Sequence, residues 1–344
     1  MSVIENDIST IPQNQSGHHL SSLPILILNV HNRCNCRCVM CDIWKRETNI
    51  ELKTASLERH RASMQNLGVR NVVLTGGEPL LHSDLPAFCN FFREEGIRLT
   101  LLTTGLLLQK RAETVAEFFD DVIVSLDGPE EVHDAVRRIQ GAFRLIHEGI
   151  AAIRSIRPEM PVSGRSTLQR SNYALMRKTV AAAKELQLTS ISFLAADVTS
   201  EAFNRTLVWP GERQSEIALT AKEVLILEEE IEQLILEYEE EIRSKYILEG
   251  PDKLRRLAKH FRAHLGQVPH QAPICNAPWV STVVEVDGSV RPCFFHRTIG
   301  NLTSSTLEDV INGEEALYFR ESLDIAKNTT CQRCVCSLNY APAK

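Results

Sequence analysis

Apolar residues follow two different rhythms along this chain. Short continuous apolar runs near 25–30, 71–74, 98–102, 122–126, 162–168 and 190–194 have the length of buried strands. Between them, near 54–67, 84–95, 109–119, 138–155 and 173–186, apolar positions recur at helical spacing. Apolar strands alternating with helices through short links predict a parallel sheet. Six such units are too few for a closed eight-stranded barrel.

The alternation stops after about residue 200. Trp209-Pro210-Gly211 reads as a turn. Val224, Leu227, Ile231, Leu234, Tyr238 and Ile242 then form one apolar stripe at helical spacing, on a helix crowded with glutamates from Glu223 to Glu241. The stripe is expected to pack and the carboxylates to be solvated. A basic segment, Lys253 to Arg262, follows, and 201–272 reads as a helical bridge. Further on, 282–286 and 289–291 flank Asp287-Gly288, which signals a hairpin, before a helical run near 306–325. The polar residues 1–22, including His18 and His19, read as a mobile arm. The resulting division is an arm at 1–22, an alternating α/β unit at 23–200, the bridge at 201–272 and a small unit at 273–344.

Composition narrows the class. The chain of 344 residues is 43% hydrophobic, enough for a real core, and its net charge of −6 argues against a nucleic-acid surface. No apolar run approaches the roughly 20 residues that span a bilayer, and the N-terminus has no secretory pattern. Ten cysteines, bunched at 34/36/38/41 and 331/334/336, point to metal ligation in a reducing compartment, so the expected location is the cytoplasm.

Those cysteines carry the chemistry. Cys34, Cys38 and Cys41, spaced C-x3-C-x2-C after the first strand, place three thiolates on one loop. Three thiolates hold three irons of a cubane iron–sulfur cluster and leave the fourth open to a small chelating ligand. A zinc loop is the alternative, although zinc knuckles usually pair C-x2-C with a second pair. After the second strand comes Thr75-Gly76-Gly77-Glu78-Pro79, where glycines permit close backbone approach to a ligand and a carboxylate can pair with an ammonium. Thr103-Thr104-Gly105, Ser125-Leu126-Asp127-Gly128, Arg165-Ser166-Thr167 and Ala195-Ala196-Asp197 lie at later strand ends. Each is either a turn satisfying its own backbone or part of a shared functional rim; Asp127 and Asp197 either touch a ligand or cap a helix. Cys275 and Cys293 bracket the hairpin, and with Cys331 and Cys334 can supply four thiolates to one cluster or to a structural zinc. Cys36 is off the register of its motif, and Cys89 falls in a helical pattern as a small buried hydrophobe.

The C-x3-C-x2-C loop together with Gly76-Gly77-Glu78-Pro79 resembles the radical S-adenosylmethionine (SAM) superfamily. The resemblance implies a partial (β/α)6 TIM-like barrel with a small C-terminal iron–sulfur domain, a β-hairpin plus helix. It implies that the Gly76–Pro79 stretch binds the methionine amino group of SAM, that Ser125 serves the ribose or carboxylate, that Arg165 serves the carboxylate, and that Thr104 joins this set. Met40 stands where the family usually has an aromatic residue before the third cysteine; Trp44 is the nearest aromatic. The stretch with Cys275, Gly288 and Cys293 resembles the auxiliary-cluster extension called SPASM, or its shorter form Twitch. The full form carries more cysteines and two clusters, and Tyr340 occupies a position where it has another cysteine. One auxiliary 4Fe–4S cluster is therefore expected on Cys275, Cys293, Cys331 and Cys334, with Cys336 replacing Cys334 or remaining a free thiol.

The resemblance implies reductive cleavage of SAM to a 5′-deoxyadenosyl radical that abstracts hydrogen from a substrate C–H. The expected outcome is net oxidation of a small metabolite or natural-product intermediate, the auxiliary cluster accepting an electron and a flavodoxin or ferredoxin supplying reductant. No membrane and no nucleic-acid partner is expected. Two alternatives stand beside this. One is a maturase forming a crosslink, thioether or epimer on a ribosomal precursor peptide, for which a fused N-terminal peptide-recognition domain is not expected before residue 25. The other is a non-catalytic iron–sulfur or zinc scaffold. No residue stands out as the general base.

Overall fold

The computed structural model describes residues 18–202 and 207–341. Six parallel strands form the barrel wall: β1 (Ile25–His31), β2 (Asn71–Gly76), β3 (Arg98–Thr103), β4 (Asp121–Ser125), β5 (Val162–Leu168) and β6 (Ile191–Ala195). Both faces of this wall are buried, which is why its strands read as continuous apolar runs. Leu26, Leu28, Val72, Leu74 and Val122 pack outward against helices, while Ile25, Ile27 and Val73 face inward.

Seven helices cover the wall: α1 (Thr54–Glu58), α2 (Arg61–Asn66), α3 (Leu85–Glu94), α4 (Ala112–Phe118), α5 (Glu130–Arg137), α6 (Ala142–Ile156) and α7 (Met176–Glu185). Cys89 is buried in α3. Two helical segments differ from the pattern. The run over 54–67 is broken at Arg59-His60, and the run over 138–155 starts only at Ala142. The separate helix α5 is ended by Arg138 at φ +54, and Gly141 at φ +77 starts α6, so the periodicity is interrupted by left-handed backbone.

Beyond the wall lie α8 (Gly211–Ile217), α9 (Ala221–Glu237), α10 (Glu239–Arg243) and α11 (Pro251–His264). Thr220 and Glu223 cap α9 reciprocally. Its stripe of Val224, Leu227, Ile231 and Leu234 is buried, but the helix breaks at Tyr238, and Ile242 belongs to α10. The glutamate face is not simply solvated. Glu223 pairs with Arg170, Glu230 with Arg177 on α7, and Glu228 and Glu232 with Arg262 and Arg255 on α11. The cations lie 23 to 53 residues away in the chain, so a local i,i+4 pattern does not reveal them. Glu230 is buried and accepts from both the backbone N–H (2.9 Å) and Nε (3.0 Å) of Arg177. Glu230→Ala is expected to cost about 1–3 kcal/mol by leaving both donors unpaired, seen as a lower urea midpoint; an unchanged midpoint would show the pair to be energetically idle.

The C-terminal hairpin extends the barrel sheet. β7 (Ser281–Val284) runs parallel to β1, and β8 (Ser289–Arg291) and β9 (Gly300–Asn301) follow antiparallel, giving the order β6-β5-β4-β3-β2-β1-β7-β8-β9. β7 thereby covers the open edge of β1. Gly288 takes the turn at φ +81. The helical run near 306–325 is two helices, Leu307–Ile311 and Glu314–Ser322. Most of the arm expected at 1–22 lies outside the described residues. The part described is tied down: Leu20 exchanges backbone bonds with the Asn312 side chain, and Arg320 Nε donates to the His18 carbonyl.

Candidate functional site

The cysteine loop leaves the C-terminal end of β1 and is clasped from three sides. Asn32 exchanges two bonds with the Ile50 backbone, closing the loop's base. The amides of Arg37 and Val39 donate to the carbonyls of Arg137 and Val136 at the end of α5. Trp44 Nε1 donates to the Cys41 carbonyl (2.9 Å). Outside, Trp209 Nε1 reaches Asp42 (2.7 Å) and Arg213 on α8 donates to the Val39 carbonyl, so the bridge covers the loop.

The sulfurs of Cys34 and Cys38 lie close enough to act on the ionisation of Cys41, and backbone amides of Cys36 and Ile43 point at the sulfurs of Cys34 and Cys41. Cys38 is held down to about 6, chiefly by a hydrogen bond with Cys36 and also by the charge of Arg137, whose Nη1 lies 3.4 Å from its sulfur. Burial pushes Cys41 up to about 12. Among the described residues no three Cys, His, Asp or Glu side chains converge on one metal ion. Three thiols on one loop are the donor set that holds three irons of a cubane and leaves the fourth open.

The Gly76–Pro79 stretch braces the cysteine loop. The Gly77 and Glu78 amides donate to the His31 and Arg33 carbonyls at 2.7 and 2.8 Å. A Cβ on Gly76 would stand 2.7 Å from the His31 carbonyl oxygen, and one on Gly77 1.9 Å from that of Arg33. Glu78 is wholly buried, and its carboxylate accepts from Leu80 N, Thr103 Oγ1, Thr104 N and Thr104 Oγ1 at 2.7–3.0 Å. Burial raises its pKa, and those four donors pull it back. In this structure those bonds make the carboxylate a brace joining β2 to β3. Thr104 Oγ1 also lies 2.9 Å from Asn35 Oδ1, which ties the brace to the cysteine loop.

Inward-facing positions near the strand ends are Asn29, Thr75, Ser125, Arg165 and Thr167 by register. Ser125 and Arg165 are direct neighbours, and Arg165 Nε donates to Ser192 Oγ (3.3 Å). Asp127 is fully buried, accepts from Thr167 N (2.9 Å) and pairs with Arg137 Nη2 at 2.5 Å. Asp197 caps its own turn through Thr199 N and Ser200 Oγ. Sequence reasoning missed Arg137, the buried cation that links Asp127 to Cys38. Its signal is an arginine ten residues after Asp127, on a helix whose start was not recognised.

At the C-terminus, Cys275, Cys293, Cys331, Cys334 and Cys336 line one cavity of about 160 Å³, together with Arg165, Ser192 and Glu249 from the barrel side. Burial raises the Cys293 thiol to about 12 and those of Cys331 and Cys336 to about 11. Such thiols ligate as thiolates, losing their protons to solvent when a metal binds. Ala277 N (3.5 Å) and His296 Nε2 (3.4 Å) approach the sulfurs of Cys275 and Cys331. The Cys334 thiol donates to the Cys336 carbonyl (3.1 Å), and all five cysteines stay together in the site. Tyr340 is bonded through its backbone to Asn276, beside Cys275.

Residues 28–174 match the family model described as the radical SAM superfamily, and residues 275–335 match SPASM, an iron–sulfur cluster-binding domain. Fe-coproporphyrin III synthase of Methanosarcina barkeri is 30% identical over 149 residues, 42% of this chain and 37% of that protein. The subtilosin biosynthesis protein AlbA of Bacillus subtilis is 24% identical over 314 residues, 86% of this chain and 61% of that protein. In each case the match spans less than two thirds of the relative's length. The fold is similar to that of Streptococcus suis SuiB, with a TM-score of 0.63 at 16% identity over 93% of this chain and 73% of SuiB; SuiB has been solved with S-adenosylmethionine and with its precursor peptide SuiA.

Proposed function

Because the chain belongs to the radical SAM superfamily and ends in a SPASM-type iron–sulfur domain, we propose that it reductively cleaves SAM and oxidises a small metabolite or natural-product intermediate by hydrogen abstraction. The observation that carries this is the clasped loop at the barrel mouth, which presents Cys34, Cys38 and Cys41 under the Gly76–Glu78 brace. These three cysteines would hold a 4Fe–4S cluster with one iron left for SAM, and the bound pair supplies the carbon radical. Ser125 and Arg165, side by side and facing inward, would receive the SAM ribose and carboxylate. The backbone of Gly76–Pro79 and Thr104 would set the floor of that site. Cys275, Cys293, Cys331 and Cys334 would hold the auxiliary cluster, across the shared cavity from Arg165. That placement suits a group that removes an electron from a substrate lodged between the two sites. The domain division follows the same logic: a barrel at 23–200, a bridge at 201–272 and a cluster domain at 273–344. Among the described residues no helix is long and apolar enough to cross a membrane.

A second reading is a peptide maturase. It is favoured by how far the resemblance to AlbA and SuiB extends, 86% and 93% of this chain, across bridge and C-terminal domain alike. A barrel mouth open to a chain rather than a metabolite would distinguish it, and a precursor-peptide gene adjacent to this one would favour it.

The test is anaerobic iron and sulfide analysis after reconstitution, on the wild type and a Cys34/Cys38/Cys41→Ala variant, with 5′-deoxyadenosine assayed after reduction. We expect about eight irons per chain, about four in the variant, and product from the wild type alone. Zinc without iron, and no 5′-deoxyadenosine, would refute the reading; four irons in the wild type and none in the variant would remove the auxiliary cluster and the oxidation with it.

A further inference from the structure

The cations of α11 split between two faces. Arg255 and Arg262 pair with glutamates of α9. Arg256, Lys259 and His260 face the other way, toward the segment 268–271, and line a cavity of about 450 Å³ with Val268, His270 and Gln332. That volume falls in the range of small-molecule pockets, roughly 300–1,000 Å³. No carboxylate lines it, and among the described residues none forms an ion pair with Arg256, Lys259, His260, His264, His270 or Arg333. His264, His270 and Arg333 act on one another electrostatically, with no acidic group among the influences on either histidine. In a chain of net charge −6, two full cations, Arg256 and Lys259, beside imidazole N–H donors and with no carboxylate in the lining suit an external anion.

A second observation points the same way. Arg256 Nη2 donates to the carbonyls of Cys334 (3.0 Å) and Gln271 (3.4 Å), but its Nε is buried without an acceptor. A buried guanidinium N–H left unpaired is costly, and such groups in native proteins usually mark a missing partner. The thiols of Cys334, Cys336 and Cys275 offset part of the Arg256 charge, yet they account for neither the orphan Nε nor Lys259 and His270. Burial, with Arg256 nearby, keeps His260 far down, at about 3, so it stays neutral and offers an N–H rather than a charge. Three imidazoles suggest a metal, but the described side chains do not converge as ligands of one ion.

We propose that this cavity binds an oxyanionic small molecule through a phosphate or carboxylate group, at a site distinct from the barrel mouth. Arg256 and His260 would grip the anion at the cavity floor. Lys259 and His270 would close over it from the rim. Because Arg256 also holds the Cys334 carbonyl, an occupant would steady the loop that carries the auxiliary cysteines.

The experiment is anaerobic calorimetric titration of the reconstituted full chain with pyrophosphate and, separately, with citrate, against chloride at matched ionic strength. Lys259→Gln and His270→Gln serve as variants because both residues line the cavity and neither is one of the cysteines that would hold a cluster, and iron content controls for folding. One of the two anions should bind the wild type, with affinity about tenfold weaker in Lys259→Gln, which loses a charge-assisted contact, and about threefold weaker in His270→Gln, which loses a neutral imidazole N–H. Binding of pyrophosphate alone identifies a phosphoryl ligand, and binding of citrate alone a carboxylate one. No binding of either anion, or binding that both variants leave unchanged at wild-type iron content, would overturn the proposal.

Discussion

Gly77→Ala is expected to lower 5′-deoxyadenosine formation at least a hundredfold. The added Cβ would sit 1.9 Å from the carbonyl oxygen of Arg33 and 2.4 Å from its carbonyl carbon. Both are backbone atoms, so no side-chain rotation relieves the clash, and the chain must move by more than an ångström next to Cys34. The same shift would break the Gly77 N–His31 O and Glu78 N–Arg33 O bonds that seat the loop. A displacement of about 1 Å in a reacting constellation is enough to cost on the order of 10²-fold in rate. Gly211→Ala is the control: its Cβ would meet nothing within 4 Å and it lies in the first turn of α8, so activity and stability should hold or rise slightly. Iron analysis shows whether Gly77→Ala loses the first cluster or keeps it misplaced. Wild-type 5′-deoxyadenosine formation in Gly77→Ala would mean that the Gly76–Glu78 clasp does not position the cysteines.

Gly77 also shows where the sequence could be read and where it could not. The two glycines announce a close approach, but not what approaches. One such approach is to the backbone of Arg33, 44 residues earlier, which no local pattern reveals. Glu78 is similar: nothing local in the sequence shows the four donors from Leu80, Thr103 and Thr104 that close around its carboxylate. The barrel strands were legible because both faces are buried, which makes each a continuous apolar run. The cysteine spacing was legible because it is local. What escaped depends on long-range contact: β7 lying along β1, the ion pairs that clamp α9 between α7 and α11, and the left-handed Arg138 that divides α5 from α6. The C-terminal thiols fall between these cases. Their gathering was expected, but five lie in one cavity, and neither spacing nor geometry separates Cys334 from Cys336.

Arg137 was hidden by the same break, and its removal should have the second largest effect. Its guanidinium is almost completely buried, with Nη1 3.4 Å from Cys38 Sγ and Nη2 2.5 Å from Asp127 Oδ2. A positive charge at that distance from a ligand thiolate favours the reduced, more negative state of a bound cluster. Arg137→Gln should therefore move the potential of the first cluster to more negative values, by roughly 60 mV for a tenfold change in the one-electron equilibrium, and slow SAM cleavage accordingly. It should also destabilise the fold by about 3–5 kcal/mol, because Asp127 is left buried and charged without its partner. The two consequences can be separated. Asp127→Asn combined with Arg137→Gln removes both charges, so stability should recover relative to the single Arg137 variant, while the potential recovers only the smaller, opposing contribution of Asp127 and stays below the wild type. Arg137→Lys keeps a charge without the fork and should recover part of the potential. Redox titration followed by electron paramagnetic resonance, alongside urea unfolding, reads both quantities on the same proteins. If the double variant regains the wild-type potential together with its stability, Arg137 acts only by holding Asp127 and the end of α5 in place. If the potential stays shifted while stability returns, the charge beside Cys38 sets how readily the cluster accepts its electron.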